Sequence, residues 1–310
     1  MLKDIFSIQD YGETHHMVRL FGLKIKFPKK EFGQKRKENP YYYYKKNNVD
    51  ITTIPPATGQ IRDIQLANLA LLKELDYVCK QNGLTYWLDF GTLLGAVRHK
   101  GYIPWDDDID VSMMREDYEK IIEAFKKSSR NPDIYAGYIR SKKNPCQYYI
   151  KVRHKKCPHL FVDIFPYNNY GDILSEKEQL EQTNVIKSIR NEMKKECSKR
   201  KVSDEEVLDI IKAGNEKVIK KDKLVEHSDL VWGLDFNHAW RNWFYSYDNI
   251  FPLKTIEFEG EEFSCVNDEK EHLRIIFGNY MDYPKKIGVG HSMFAKLKDE
   301  EKIEMQKLKG

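Results

Sequence analysis

Residues 86–111 read YWLDFGTLLGAVRHKGYIPWDDDIDV, and no other stretch restricts the fold as strongly. An apolar run over 86–90 ends in Gly91-Thr92, a short Leu/Ala/Val segment follows, and the chain then delivers Asp106, Asp107, Asp108 and Asp110. In an extended strand, side chains alternate between faces. Asp108 and Asp110 therefore point the same way, roughly 7 Å apart along the backbone, while Ile109 and Val111 point into a core. Two carboxylates aimed at one spot repel each other unless a shared proton, a basic group or a metal relieves them. Hard oxygen ligands of this kind suit Mg²⁺ or Mn²⁺.

At 310 residues and 41% apolar content the chain can bury a substantial core. Its net charge of +4 is compatible with anionic substrates and gives no reason to expect nucleic acid as a partner. The cysteines at 79, 146, 157, 197 and 265 have no metal-type spacing, and five cannot all pair, so the expectation is a reducing compartment. There is no apolar run near the ~20 residues that span a bilayer, and no secretory signal pattern. A cytoplasmic protein is expected, with peripheral contact at the inner membrane face as an option.

Period-two alternation over 23–27 suggests a small strand or hairpin turning at Gly22. Its basic companions, among them Arg19, Lys24 and Lys26, suit either a membrane face or ordinary solvent, and His15-His16 reads as surface. Residues 35–59 read as a loop or arm by their Pro, Asn and charge content. A helix is expected over 61–82, stopped by Asn82-Gly83, and a strand over 86–90. An amphipathic helix over 116–127 and strands over 134–139 and 148–153 follow. On the last of these, Lys151 and Arg153 share a face, fit either to hold phosphate or to guard a strand edge. Asp163 sits inside the apolar run LFVDIFP, where a lone acid is unfavourable unless it is paired or ligates a cation. After an Asp-x-Asp strand it suggests a third member of one cluster.

Residues 175–227 are rich in Glu and Lys, with Leu180, Val185, Ile189 and Met193, then Val207, Ile210, Ile211, Val218 and Leu224, at helical spacing. This predicts a helical hairpin with solvated faces, its second helix starting at Ser203-Asp204-Glu205-Glu206. Trp232, Phe236, Trp240, Trp243, Phe244, Tyr245, Tyr247 and Phe251 could cage a quaternary ammonium, although core packing is the favoured use. A hairpin turning at Glu259-Gly260 and a helix over 269–277 capped at Gly278 complete the reading.

A strand ending in Gly-Thr, a helix start, an Asp-x-Asp strand and a later single-Asp strand follow one another in the order used by nucleotidyltransferase-type sites. Gly91 lets the backbone approach phosphate, and Thr92 can donate to it. The motifs LDFGTLLGAVR (88–98), GYIPWDDDID (101–110) and VDIFP (162–166) resemble the LicD family of phosphocholine transferases, which includes fukutin-related proteins. Ile275 through Met281 is similar to the family's closing YGDYM-like segment, with Asn279 where Asp is usual. More loosely, FSIQDYGETHHMVRLFGLKIKF is similar to a leader on bacterial enzymes of surface-polysaccharide synthesis.

The resemblance implies a mixed α/β (α+β) nucleotidyltransferase-like sheet flanked by helices, with a helical insert. Expected divisions are 1–58 (hairpin and arm), 59–172 (catalytic core), 173–230 (insert) and 231–310 (an aromatic-rich part completing the catalytic domain). It also implies transfer of phosphocholine from CDP-choline to a hydroxyl of a cell-surface or lipid-linked glycan, with release of CMP. Lipopolysaccharide, teichoic acid and capsule are the candidate acceptors. Asp108 and Asp110 would hold Mg²⁺ or Mn²⁺, and Asp163 would be a third ligand or the base. Asp106 and Asp107 would reach the metal or anchor the strand, Asp107 being assigned to the ligand set. Gly91 and Thr92 would bind the donor, and Asp89 would bind the donor, steady the metal site or, as readily, cap the turn, with Arg98, Lys151 and Arg153 as charge clamps. Competing expectations are transfer of glycerol or ribitol phosphate, a nucleotidyltransferase releasing pyrophosphate, and a noncatalytic nucleotide-binding subunit.

Overall fold

The computed structural model describes residues 6–11, 15–20, 23–28, 41–141, 144–220, 227–236, 242–288, 290, 292 and 295–309, with backbone alone for those before residue 41. The turn at Gly22, the basic side chains around it, His15-His16, Leu224 and Trp240 lie outside the described residues or side chains. The chain divides into two units, Met1–Asn47 and Asn48–Gly310.

The first unit holds an antiparallel meander, β1 (Phe6–Tyr11), β2 (His15–Leu20) and β3 (Leu23–Pro28). Leu20 pairs with Leu23, the tight β2–β3 reversal that the alternation over 23–27 implies. The segment expected as a loop contains a helix, α1 (Tyr41–Lys46), whose last turn carries Lys45 and Lys46, cations placed against the negative end of its dipole.

The second unit begins with a 3-10 turn, Ile51–Thr53, capped by the Asp50 carboxylate. Next comes α2 (Gln60–Asn82), closed by Gly83 in the left-handed region at φ 63°. β4 (Trp87–Leu88) is shorter than the strand expected over 86–90, because Asp89 accepts from the Phe90 N–H and starts α3 (Phe90–His99). β5 (Ile109–Met114) carries the acidic stretch. The single helix expected over 116–127 is two, α4 (Arg115–Tyr118) and α5 (Ile121–Ser128). β6 (Ile134–Arg140), β7 (Tyr148–His154) and β8 (Phe161–Asn169) follow.

The segment expected as a helical insert forms α6 (Glu176–Lys199) and α7 (Asp204–Val218), each started by a complete capping box, Ser175 with Glu178 and Ser203 with Glu206. The buried stripe of α6 is Thr183, Ile186, Arg190, Met193 and Cys197. This corrects the expected face, since Val185 is 51% exposed. Steps of three and four residues keep the observed set on one side, whereas Leu180 to Val185 breaks that period. Arg190 is tolerated inside because it donates to the carbonyls of Cys146 and Phe236. Cys146 and Cys197 form a disulfide, which departs from the reducing compartment expected from the cysteines, and Cys79, Cys157 and Cys265 are free and buried.

The chain then runs through β9 (Leu230–Trp232), β10 (Phe244–Tyr245), α8 (Tyr247–Ile250), β11 (Lys254–Phe258), β12 (Glu261–Cys265), α9 (Glu269–Phe277) and α10 (Asp299–Lys309). The β11–β12 turn falls at Glu259-Gly260, both with positive φ, as its sequence suggests. The main sheet is mixed, in the order β10-β9-β8-β5-β4, with β7 also on β8 and β6 on β7. Only β5 and β8 run parallel. α2 packs on this sheet through Ile64, Ala67, Leu71, Leu75 and Val78, all fully buried.

An aromatic layer that includes Trp87, Phe165, Tyr167, Trp232, Phe236 and Tyr245 is linked by ring contacts of about 5–6 Å and is likewise buried. Core packing is thus the use made of most of the C-terminal aromatic run. Among the described residues no helix is long and apolar enough to cross a membrane.

Candidate active site

Register brings the acids together. β5 and β8 align Asp110 with Asp163, and β7 aligns Lys151 with Asp163, so one row crosses three strands. The alternation of β5 continues backwards into its approach: Asp106, Asp108 and Asp110 are half-buried while Asp107 and Ile109 are buried. Asp106, Asp108, Asp110 and Asp163 line one cleft of about 800 Å³. Its other walls come from α3 (Phe90, Gly91, Leu94, Arg98), from Trp105, Tyr149 and Phe165, and from the segment after α9, including Tyr280, Tyr283, Lys285 and Lys286.

The electrostatics of the floor are uneven. Enclosure, then the charges of Asp108 and its neighbours, push Asp106 and Asp110 well above the usual carboxylate range. Asp163 is raised mainly by burial, although Lys151 Nζ at 2.6 Å from Oδ1 and the Tyr149 hydroxyl at 3.2 Å from Oδ2 oppose the shift. Arg98 is drawn down to about 10, chiefly by burial. Its Nη1 donates to the Tyr280 carbonyl at 2.9 Å, while its Nε has no hydrogen-bond partner among the described residues. Two carboxyls raised by burial and by their acidic neighbours, Asp106 and Asp110, and a buried guanidinium whose Nε has no hydrogen-bond partner among the described residues share the same cleft.

The other expected site residues lie elsewhere. Thr92 is buried and its Oγ1 accepts from the Asp110 N–H at 2.8 Å, holding the acidic strand against α3. Asp89 is fully buried and takes hydrogen bonds from Phe90 N–H, Ser112, Tyr167 and His272. Asp107 does not line the cleft, and its Oδ2 accepts from the Ser292 N–H at 2.6 Å, yet it offers a carboxylate oxygen within 4.8 Å of those of Asp106 and Asp108. Arg153 donates to the Pro158 carbonyl near the surface. Lys151 reaches the cleft only through Asp163.

Gly91 does line the cleft, and a Cβ there would sit 2.9 Å from Asp106 Oδ2, so its lack of a side chain makes room for a carboxylate. The alternation that pairs Asp108 with Asp110 also selects Asp106 over Asp107 when extended one step back. The Pro284-Lys285-Lys286 wall had no such signal, because the fold alone brings it across from β5.

Asp106, Asp107 and Asp108 offer carboxylate oxygens within 4.8 Å of one another, and Asp110 lines the same cleft as Asp106 and Asp108, an oxygen-only donor set that fits a hard divalent cation. Among the described residues, Asp133, His154 and Glu304 also lie within ligating reach of one another. There, however, the Lys156 ammonium already faces both carboxylates.

The fold is a mixed α/β sheet flanked by helices, and its cleft opens on acids at the start of a parallel strand pair. Residues 83–207 match the family described as LicD/FKTN/FKRP, nucleotidyltransferase domain. The chain is 27% identical over 248 residues to the lipopolysaccharide cholinephosphotransferase LicD of Haemophilus influenzae, covering 72% of this chain and 92% of that protein. It is 28% identical over 104 residues to human ribitol 5-phosphate transferase FKRP, 34% of this chain and 21% of that one. An uncharacterized protein of Rickettsia typhi is 34% identical over 100 residues, 31% of this chain and 32% of its own length. Both relatives with a named activity are phosphotransferases, which supports an enzyme activity for this chain.

Proposed function

We propose that the protein transfers phosphocholine from CDP-choline to a hydroxyl of a cell-surface glycan, releasing CMP, with a divalent metal as cofactor. One observation carries this reading: the carboxyls of Asp106 and Asp110, raised by burial and by their acidic neighbours, line a single cleft with Arg98, Lys285 and Lys286. A metal-bound diphosphate answers both sides of that cleft at once, its cation the acids and its phosphates the basic groups.

In this reading Asp106, Asp108 and Asp110 hold Mg²⁺ or Mn²⁺, which when bound neutralises the diphosphate and the charge developing on the leaving oxygen. Arg98, Lys285 and Lys286 hold the anionic side of the donor. Asp163, kept basic by burial and oriented by Lys151 and Tyr149, takes the proton of the acceptor hydroxyl. The acceptor oxygen bonds to the phosphorus bearing choline, the bond from that phosphorus to the CMP phosphate oxygen breaks, and CMP leaves. Trp105, Tyr149, Tyr280 and Tyr283 line the same cleft and are the aromatic residues that would meet a quaternary ammonium there. We place the reaction in the cytoplasm, against the inner membrane face.

The local likeness to FKRP favours ribitol phosphate as the second reading of the head group. Purified protein incubated with Mg²⁺, a bacterial envelope glycan and CDP-choline, CDP-ribitol or CDP-glycerol separates these. The expected product is CMP in step with phosphocholine on the glycan. Pyrophosphate released from a nucleoside triphosphate would replace the proposal with nucleotidyl transfer, and no turnover of any donor would end it.

A further inference from the structure

Phe90, at the cleft wall, has φ +45°, a left-handed conformation that a bulky residue adopts only when its surroundings hold it there. What holds it is the preceding residue. Asp89 Oδ1 accepts from the Phe90 N–H at 2.8 Å and from His272 Nε2 at 2.8 Å, and Oδ2 accepts from Ser112 at 2.6 Å and Tyr167 at 3.1 Å. The Asp89 N–H in turn donates to the Asp110 carbonyl at 3.1 Å, so the same residue is tied to the acidic strand. His272 belongs to α9, is fully buried, and packs at a tilt against Tyr245 with ring centroids 4.8 Å apart.

The consequence lies at the far end of α9. That helix runs from His272 to Phe277 and then into Tyr280, Tyr283, Lys285 and Lys286, which form the wall opposite the acids. At the other end of α3, Arg98 donates to the Tyr280 carbonyl. α3 and the α9 segment are therefore joined twice, by Asp89 with His272 at one end and by Arg98 with Tyr280 at the other.

We propose that His272 is a positioning residue: through Asp89 it fixes the strained turn at Phe90 and the spacing between the acidic floor and the Tyr280–Lys286 wall. His272 touches neither donor nor acceptor in this account. It acts on donor binding through the geometry of two walls, and in catalytic terms this rests on the donor reading above.

Replacing His272 with Phe keeps a buried ring and removes the donor to Asp89, whereas His272→Gln retains a side-chain N–H. With CDP-choline and Mg²⁺, H272F should raise KM about tenfold while kcat changes much less, and H272Q should recover most of the loss. Leu273→Ala, a cavity in the same helix, serves as the control for simple destabilisation, and should leave KM near the wild-type value below its melting transition. Hydrogen exchange provides a second readout: H272F should speed exchange over 280–288, with or without nucleotide.

If H272F does not fold, Ser112→Ala removes another donor to Asp89 and should show the same KM shift in smaller form. A folded H272F with unchanged KM and unchanged exchange overturns the proposal. So does L273A matching its KM shift, or H272Q failing to rescue it. Wild-type protein that turns over no CDP donor would sink the donor reading alone, leaving the exchange result to decide the role of His272.

Discussion

Asp89 and Asp110 belong to one stretch of chain and are joined by a backbone hydrogen bond, yet they live in opposite environments. Burial alone would push Asp89 up, but His272, Ser112 and the Phe90 N–H outweigh it and hold the carboxyl below its ordinary range. Asp110 meets enclosure and the charges of Asp108, Asp163 and Asp89, and is driven well above that range. The difference separates two uses of a buried acid. One whose oxygens are all answered by donors is part of the framework, and one left facing other acids in an open cleft is set up for a ligand.

Breaking the unsatisfied side should have the largest effect. Asp110→Asn should lower CMP release by about 10³-fold or more while raising the melting temperature of metal-free protein, since it removes a repelling charge. A variant with wild-type turnover would place the chemistry elsewhere. On the satisfied side the effects reverse. Asp89→Ala strands the donors of Ser112, Tyr167 and His272 in the interior and should cost about 3 kcal/mol in chemical denaturation. If stability is unchanged, the hydrogen-bond network has been overvalued.

Asp107 sharpens the comparison, because it is adjacent to the cleft acids yet turned to Ser292. Asp107→Asn should weaken Mg²⁺ binding far less than Asp110→Asn in paired calorimetric titrations. Equal losses would return it to the ligand set. The smallest effect concerns His99, whose two ring nitrogens have no hydrogen-bond partner among the described residues. Burial, then Arg98, draws it down to about 4. Its folded value lies below its ordinary 6.5, so it contributes stability above that value, lost as pH falls from 6.5 toward 4. His99→Phe should flatten the stability profile across that window, and an unchanged profile would remove His99 as its source.

The same contrast marks what the sequence could reveal. Strand alternation identifies Asp108 and Asp110 as partners, and the lone acid in an apolar run points to Asp163, which the β5–β8 register then sets beside Asp110. Local rules also locate α2, α9, the β11–β12 turn and the start of α7, because caps and glycine turns are written in adjacent residues. They mislead where a distant partner decides. Asp89 reads equally well as a donor ligand until His272 arrives from α9, and Arg98 gains its place opposite the acids only through the wall after that helix. The α6 stripe is a different failure, in which a plausible apolar set lost to one with better helical spacing.

The central claim is that the cleft acids answer a cation that the nucleotide brings with it. Calorimetry of CDP-choline binding to the intact protein, in Mg²⁺ and again after EDTA treatment, tests it most directly. Binding should be readily measured with Mg²⁺ and lost without it, whereas equal affinity under both conditions would contradict the account.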